Sequence, residues 1–527
     1  MNNNLLHPTL ARINNTLIPW GITGGFITLC FINILRHEMW RDELQAWLIA
    51  MKSDTLAELF QNSLYEGHPK LWFLLLFALT RITHSLFLMQ VLHLLIATAT
   101  VFLFTAYSPF SRLQKTLFPL GYFPLYEYGT ISRNYSIGIL LIILFCVVYQ
   151  KRQSHYWLLS GFLFLLCQTN APALLLSIVL SGFLFVDNFF PFTKSKIAMF
   201  GFLLFGVLLA VITTNPPHDS GFAFSWNRTF DSWRLREVIS LVWKSYVPLP
   251  QPSLHFWNTN IVTSLNVQTI LSFILLAICS GYFFRFPTIF LLYGFGTLTI
   301  LLFSYMKYLG SIRHHGHLFF LFVVALWLSL LKQSHSSLPR TISLQFISIV
   351  FTVLLAIHAF AGIFASMTDW IYPFSKGKHV AQFLQQGGWD KFCLIGDQDF
   401  AASTVAGYLY KDIYYYGTNR IGTFIIWDRN WYKYGGHNTT SDALLETVNR
   451  LPSNCQNSAI FVLNYPLFLS PSRTVNLGNF LVSIVSDEQY YLYLYSNTFS
   501  ESRRSTKSHE FFIPPMPRSG LATHAIQ

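Results

Sequence analysis

From residue 19 to residue 366 apolar stretches recur, many close to the ~20 residues that a helix needs to cross a ~30 Å hydrocarbon core. Charged residues are 11% of the 527, against about 25% in soluble domains. The chain therefore reads as a multi-pass α-helical membrane protein up to residue 368. A soluble α/β domain follows over 369–497, and a tail over 498–527 has the composition of a disordered segment.

The formal charge of +12 does not indicate a nucleic-acid partner. Lys and Arg are scattered through short interhelical loops such as KRQSHY (151–156) and KSK (194–196), as the positive-inside rule expects, and no basic soluble face with interleaved aromatics is visible. The first apolar run, 19–35, has no cleavage site before it and is expected to stay as the first helix, with a cytoplasmic N-terminus.

Further apolar segments fall near 70–83, 86–107, 116–132, 135–149, 157–168, 171–190, 197–214, 263–283, 287–304, 317–331 and 343–366. Placing Lys151, Arg152, Lys194, Lys196, Arg285, Lys332 and Arg340 in the cytoplasm puts 168–170, 215–260, 305–316 and everything after Met367 outside. The second half alternates consistently. The first half does so only if one segment between 70 and 135 is re-entrant or a half-helix, leaving about eleven crossings. The loop 215–260 carries no catalytic spacing and reads as an amphipathic lid; Asp219, Asp231 and Glu237 within it are unranked candidates.

In the soluble region KHVAQFLQQ, FAASTVAGYLY and SDALLETVNRL read as helices, and KFCLIG, DIYYYG, TFIIWD, AIFVLNY and EQYYLYLYS as strands. GDQDF (396–400) follows a strand, where α/β folds place binding residues, but no Gly-rich phosphate loop accompanies it; acceptor recognition fits better than a nucleotide site. The aromatic residues of 408–434 suit carbohydrate stacking or a domain core. Cys30, Cys146, Cys167 and Cys279 lie in apolar segments as small hydrophobes, whereas Cys393 and Cys455 can pair if the domain faces an oxidising space. No zinc spacing is present.

The placement of acids is the most informative local feature. Six of the 23 (Glu38, Asp42, Glu43, Asp54, Glu58, Glu66) sit in the loop 36–69. A carboxylate there lies at the depth where a lipid-borne phosphate meets water. Transfer of a sugar to a hydroxyl needs a general base, and a partly dry cleft raises a carboxylate toward that use. Asp54 and Glu58 read as charges at a helix start. Asp42 and Glu43, among Trp40, Arg41 and Trp47, read as site residues.

The strings WRDELQAWLIA (40–50) and YEGHPKLWFLLL (65–76) resemble the acidic pair after the first helix and the His-Pro opening the second in GT-C glycosyltransferases. That group includes protein O-mannosyltransferases, lipid A aminoarabinose transferases and related bacterial lipopolysaccharide glycosyltransferases. The resemblance implies a polyprenyl-phosphate-linked sugar donor, an inverting transfer and an extracytoplasmic site in a bacterial inner membrane. By it Asp42 is the catalytic acid, Glu43 its partner and His68 the matching histidine. Lys70 stands where the family often has a second proline, and either contacts phosphate or snorkels to the interface.

Arg133 and Tyr135, in EYGTISRNYSIG (127–138), are similar to the family's Arg-x-Tyr string. Arg133 is assigned to phosphate and Tyr135 to the sugar pocket, with an Arg133–Glu127 pair as the structural alternative. In KYLGSIRHHGHLFF (307–320), Arg313 and His314 are expected to neutralise a phosphate leaving group or, alternatively, to be cations snorkelling at a helix end. Adjacent His314 and His315 diverge on a helix and argue against a metal site, although the chemistry leaves room for a divalent cation, magnesium or manganese. The partners so implied are the lipid-linked donor, an envelope acceptor (glycolipid, lipopolysaccharide or protein hydroxyl) and the bilayer. A transporter or lipid-linked-sugar flippase is the alternative, but it calls for charged, Gly/Pro-broken segments in two matching halves, and no such repeat is visible. A membrane scaffold using its outer domain to bind a partner is the third reading.

Overall fold

The computed structural model describes residues 7–187, 193–221, 226–334, 342–434, 453–467 and 474–496, with positions 440, 443, 444 and 448. The expected tail 498–527 and most of the expected helix SDALLETVNRL lie outside the described residues. The protein is a helical membrane bundle carrying a C-terminal sheet domain. Its helices are α1 (His7–Arg36), α2 (Arg41–Met51), α3 (Leu56–Asn62), α4 (Leu71–Thr80), α5 (Leu86–Tyr107), α6 (Arg112–Leu117), α7 (Tyr135–Tyr149), α8 (Tyr156–Cys167), α9 (Ala171–Asp187), α10 (Lys194–Thr214), α11 (Ser232–Tyr246), α12 (Leu265–Phe283), α13 (Pro287–Met306), α14 (Ile312–Ser334) and α15 (Ile342–Ile371).

Among the described residues seven helices contain a stretch long and apolar enough to cross a membrane: α1, α5, α10, α12, α13, α14 and α15. The window in α14 is 89% buried, which suits a helix apolar on every side and makes it the centre of the bundle. Arg313 and Lys332 stand at its two ends, about 28 Å apart at 1.5 Å per residue, close to the thickness of a hydrocarbon core. Each anchors a separate group of charges. At the Lys332 end, Asp187 accepts from Lys332 and pairs with Arg152 at 3.2 Å. At the Arg313 end lies the acid-bearing loop.

α4 is ten residues long, about 15 Å, and cannot cross. Arg81, directly after it, still donates to the Ser53 carbonyl at 3.0 Å, and Tyr410 of the C-terminal domain donates to the His84 carbonyl at 2.7 Å. α4 therefore stays on the loop's side of the bundle. That removes the one crossing that set the first half of the chain at odds with its charges.

The segment 226–260 is not laid over the surface as a lid. Asp231 caps α11, accepting from the Trp233 and Arg234 N–H groups at 2.8 and 3.1 Å. The helix packs into the bundle until Tyr246 reaches Tyr293 at 3.0 Å and its carbonyl meets His358 Nε2 at 3.1 Å. Its amphipathic face is buried because α12 and α14 offer an apolar groove. Thr55 caps α3, its hydroxyl accepting from Glu58 N–H at 3.2 Å, with Asp54 just before the cap and Glu58 in the first turn.

After α15 come α16 (Gly377–Gln386), β1 (Cys393–Gly396), α17 (Asp399–Leu409), β2 (Ile413–Tyr415), β3 (Arg420–Gly422), β4 (Ser458–Leu463), β5 (Thr474–Phe480) and β6 (Tyr490–Ser496). The sheet order is β3-β2-β1-β4-β6-β5, parallel between β2, β1 and β4 and antiparallel elsewhere. The expected strand TFIIWD is displaced: β3 precedes it, and 423–428 is irregular because the bundle claims its backbone, as described below. β5 was not anticipated. It is an edge strand whose apolar/polar alternation (Val475, Leu477) is broken by a register shift between Asn476 and Gly478, so the period runs over only four residues. Cys393 and Cys455 form a disulfide.

Candidate active site

The position of Asp42 is set by its neighbour. Glu43 is fully buried; its Oε1 accepts from Ser132 N–H at 2.6 Å, and its Oε2 from His37 at 2.9 Å and Trp40 N–H at 3.3 Å. The other ring nitrogen of His37 meets Asp369 of α15 at 2.7 Å. Burial disfavours charge on His37, but the carboxylates of Glu43 and Asp369 outweigh it and push its pKa up to about 10. The imidazolium between two carboxylates thus ties the start of α2 to α1, α15 and the segment before α7. Glu43 holds this frame and has no oxygen free.

Asp42, one residue earlier, turns the other way. Its Oδ2 accepts from Arg133 at 2.8 Å and Arg313 at 2.9 Å, and the three side chains are only 20%, 12% and 13% exposed, reachable yet mostly dehydrated. Burial would raise the Asp42 pKa, but the Arg133 and Arg313 charges hold it below the usual carboxylate range. The expectation of a raised Asp42 is therefore corrected: two guanidiniums keep it ionised. Arg133 does not pair with Glu127, which instead accepts from Trp257 Nε1 at 3.0 Å and Tyr122 at 3.1 Å. Trp257 and Trp40 flank the Arg313 guanidinium at 5.4 and 5.3 Å, fixing its plane.

Among the six loop acids the raised carboxyl is Glu66, which the sequence places in the loop without marking it as a site residue. Burial pushes it up to about 7, against the hydrogen bond it accepts from Gln45 at 2.6 Å and the nearby charges of Arg133 and Lys70. Gly67, with φ of 62°, reverses the chain between Glu66 and His68. Burial and the Arg133 charge push His68 down to about 3, so it is neutral, and its buried Nδ1 has no partner. Lys70 donates to the Ser63 carbonyl at 2.6 Å, and burial pushes it down to about 8. The only advance signal for Glu66 was its place two residues before His68. Trp257 gave none.

Tyr135 and His314 also meet here. Ser311 N–H donates to His314 Nδ1 at 3.0 Å, so the ring proton is on Nε2, which donates to the Tyr135 oxygen at 2.9 Å. That leaves the phenolic proton available to a ligand. Asp42, His68, Lys70, Arg133, Tyr135, Arg313 and His314 thus fall in one cluster at the Arg313 end of α14, with Glu43 turned away from it. Among the described residues no three His, Cys, Asp or Glu side chains converge as a metal-binding set.

No protein-family model matches the chain, and no curated protein matches it. The chain is similar in structure to ArnT. The crystal structure of ArnT from Cupriavidus metallidurans bound to undecaprenyl phosphate has 13% identity and a TM-score of 0.45, covering 91% of this chain and 98% of that one. The same protein in the apo state gives 14% and 0.43 over the same shares. A likeness at this level transfers neither substrate nor residue roles, and the site's own chemistry has to supply them.

The C-terminal domain packs against α2 beside this cluster. Arg41 pairs with Asp487 at 2.8 Å, and its N–H donates to Glu488 at 3.0 Å. Gly407 lets α17 lie against α2, since a Cβ there would meet Leu44 at 3.1 Å. Of the unranked acids, Asp219 accepts from Tyr65 at 3.0 Å and Asp231 is the α11 cap.

Proposed function

We propose that the protein is a glycosyltransferase that moves a sugar from a polyprenyl-phosphate carrier to a hydroxyl of an envelope acceptor, inverting the anomeric carbon. The observation that carries this reading is the Arg133–Asp42–Arg313 group at one end of the bundle, with Glu66 beside it poised near neutrality. Two guanidiniums and Lys70 suit the phosphate of a lipid whose tail stays in the bilayer. Asp42 preorganises both guanidiniums and accepts from the incoming hydroxyl. Glu66 takes the hydroxyl proton. The acceptor oxygen bonds to the anomeric carbon as the carbon–oxygen bond to phosphate breaks on the opposite face, and Arg133, Arg313 and Lys70 neutralise the departing phosphate. Tyr135 donates its phenolic proton to the sugar or the phosphate, and neutral His68 accepts from a donor hydroxyl.

The reading places the protein in a bacterial inner membrane, with the site and the domain 369–497 extracytoplasmic and 1–368 as the catalytic bundle. Lys151, Arg152, Arg285 and Lys332 then fall on the cytoplasmic side, and the Cys393–Cys455 disulfide lies in an oxidising space. The test is transfer of radiolabelled sugar from a panel of polyprenyl-phosphate sugars by purified protein, wild type against Asp42→Asn. Transfer that collapses in the folded variant supports the reading; no transfer from a panel including the host's own donors turns it toward transport.

A further inference from the structure

In the C-terminal domain lies a partly open cavity of about 100 Å3, room for part of a small ligand whose remainder would stand at the rim. Asp399, Thr418, Arg420, Thr423 and Phe424 line it, and Ile421, 65% exposed, stands at its rim. The Thr418 and Thr423 hydroxyls, on residues 7% and 2% exposed, have no partner, nor does the buried Nη1 of Arg420. Unsatisfied buried polar atoms are few in folded proteins, and three gathered on one cavity are a set of hydrogen bonds awaiting a ligand.

The chemistry of the lining narrows that ligand. Arg420 is already balanced by its ion pair with Asp428, so the cavity carries no surplus positive charge for a phosphate. Asp399 accepts from Trp431 Nε1 at 2.7 Å, and burial pushes its carboxyl up to about 7, so near neutral pH it both gives and takes hydrogen bonds. Two hydroxyls, one N–H donor and one carboxyl beside the rings of Tyr415 and Phe424 suit a neutral, polyhydroxylated ring with an apolar face. Its position matters equally. The stretch 423–426 gives Thr423, Phe424 and Ile426 to the cavity, while the backbone of Ile425 is held by Gln45, whose amide also donates to Glu66.

We propose that this cavity binds a sugar residue of the acceptor and so holds the acceptor next to Glu66. Only the ligand's identity as the acceptor rests on the glycosyltransferase reading; sugar binding at this cavity does not.

The test has two arms. Saturation-transfer NMR of the full-length protein in nanodiscs, with methyl α-mannopyranoside, methyl β-glucopyranoside and methyl β-galactopyranoside as probes, is expected to show transfer to at least one glycoside. The signal should be lost in the near-isosteric Thr418→Val/Thr423→Val variant, lost in Ile421→Trp, which blocks the rim from an exposed position, and kept in Thr418→Ser/Thr423→Ser. In turnover, the valine pair should raise acceptor KM roughly 10-fold through two lost hydrogen bonds, with donor KM unchanged. Signal absent in wild type, or equal in wild type and Ile421→Trp, overturns the cavity as a sugar site whether or not transfer is seen. Glycoside binding with a raised donor KM and an unchanged acceptor KM overturns its assignment to the acceptor. Glycoside binding by a protein that transfers nothing leaves the sugar site standing and removes the glycosyltransferase reading.

Discussion

The Gln45 side chain grips the main chain of Ile425 at both ends, its Oε1 accepting the N–H at 2.9 Å and its Nε2 donating to the carbonyl at 2.8 Å. The same Nε2 reaches Glu66 at 2.6 Å. One amide on the loop helix α2 therefore fixes an outer-domain segment and orients the carboxyl proposed as the base. The hydrogen bond to Glu66 favours its ionised form, so removing it raises the Glu66 pKa further above 7. In Gln45→Leu the rising limb of the pH–rate profile should move to higher pH, toward the falling limb set by Lys70 near 8, narrowing the active range. An unmoved limb means that Gln45 serves only to dock the domain.

Glu66 near 7 and Lys70 near 8 bound a narrow working range. A base must lose its proton and a phosphate-binding lysine must keep its own, so kcat/KM should rise through about pH 7 and fall above about pH 8. Glu66→Gln should abolish the rising limb and slow transfer about 10²- to 10⁴-fold, the usual worth of a general base. Lys70→Arg should remove the falling limb, because a guanidinium stays charged throughout. Steady-state profiles of the three proteins decide this.

Asp42→Asn leaves Arg133 and Arg313 without their shared carboxylate. Loss of transfer by 10²-fold or more is expected, with donor binding retained, since the cations are then unopposed. Arg313→Met should instead weaken donor binding and slow transfer about 10²- to 10³-fold, the size typical of losing one electrostatic contact to a developing charge. Binding of a polyprenyl phosphate by isothermal calorimetry separates the two variants. Equal loss of binding in both would remove the distinction drawn between them.

Glu43→Gln breaks a buried charged group on which α2 depends, and losing one member of such a set costs about 3–5 kcal/mol. The expected result is a lowered Tm along with lost activity. The pH dependence has a definite sign. His37 has a folded pKa near 10 against an ordinary 6.5, so its charge stabilises the fold fully below pH 6.5 and progressively less as pH rises toward 10. Wild-type stability should fall across that window, and Glu43→Gln should flatten the fall. A slope unaltered by the substitution would assign the pH dependence to other groups.

Periodicity and charge carried much of this protein in plain view. The apolar runs gave the bundle, because membrane crossing depends on local composition over some twenty residues. That Arg133 and Arg313 would need a partner was also legible, since cations bordering apolar segments are costly when left unpaired; that His314 is neutral, its Nδ1 accepting from Ser311 N–H, was not. The strand expected at 423–428 failed for a tertiary reason: the Ile425 backbone bonds to Gln45 of a distant helix and has no strand partner. The descent of α11 into the bundle was equally hidden, because an amphipathic face does not say what it packs against.

What the sequence alone determined was the class of molecule and the chemical inventory of one loop: six carboxylates at a membrane boundary, with candidate cations far along the chain. Which carboxylate does what was decided only in three dimensions. Asp42 and Arg313 are 271 positions apart, yet their contact keeps that acid ionised. Glu66, in the same loop, is raised because folding desolvates it by more than the Gln45 hydrogen bond and the Arg133 and Lys70 charges offset. A residue's identity fixes its ordinary pKa. Desolvation and the neighbouring charges that shift it come from segments the chain brings together only on folding.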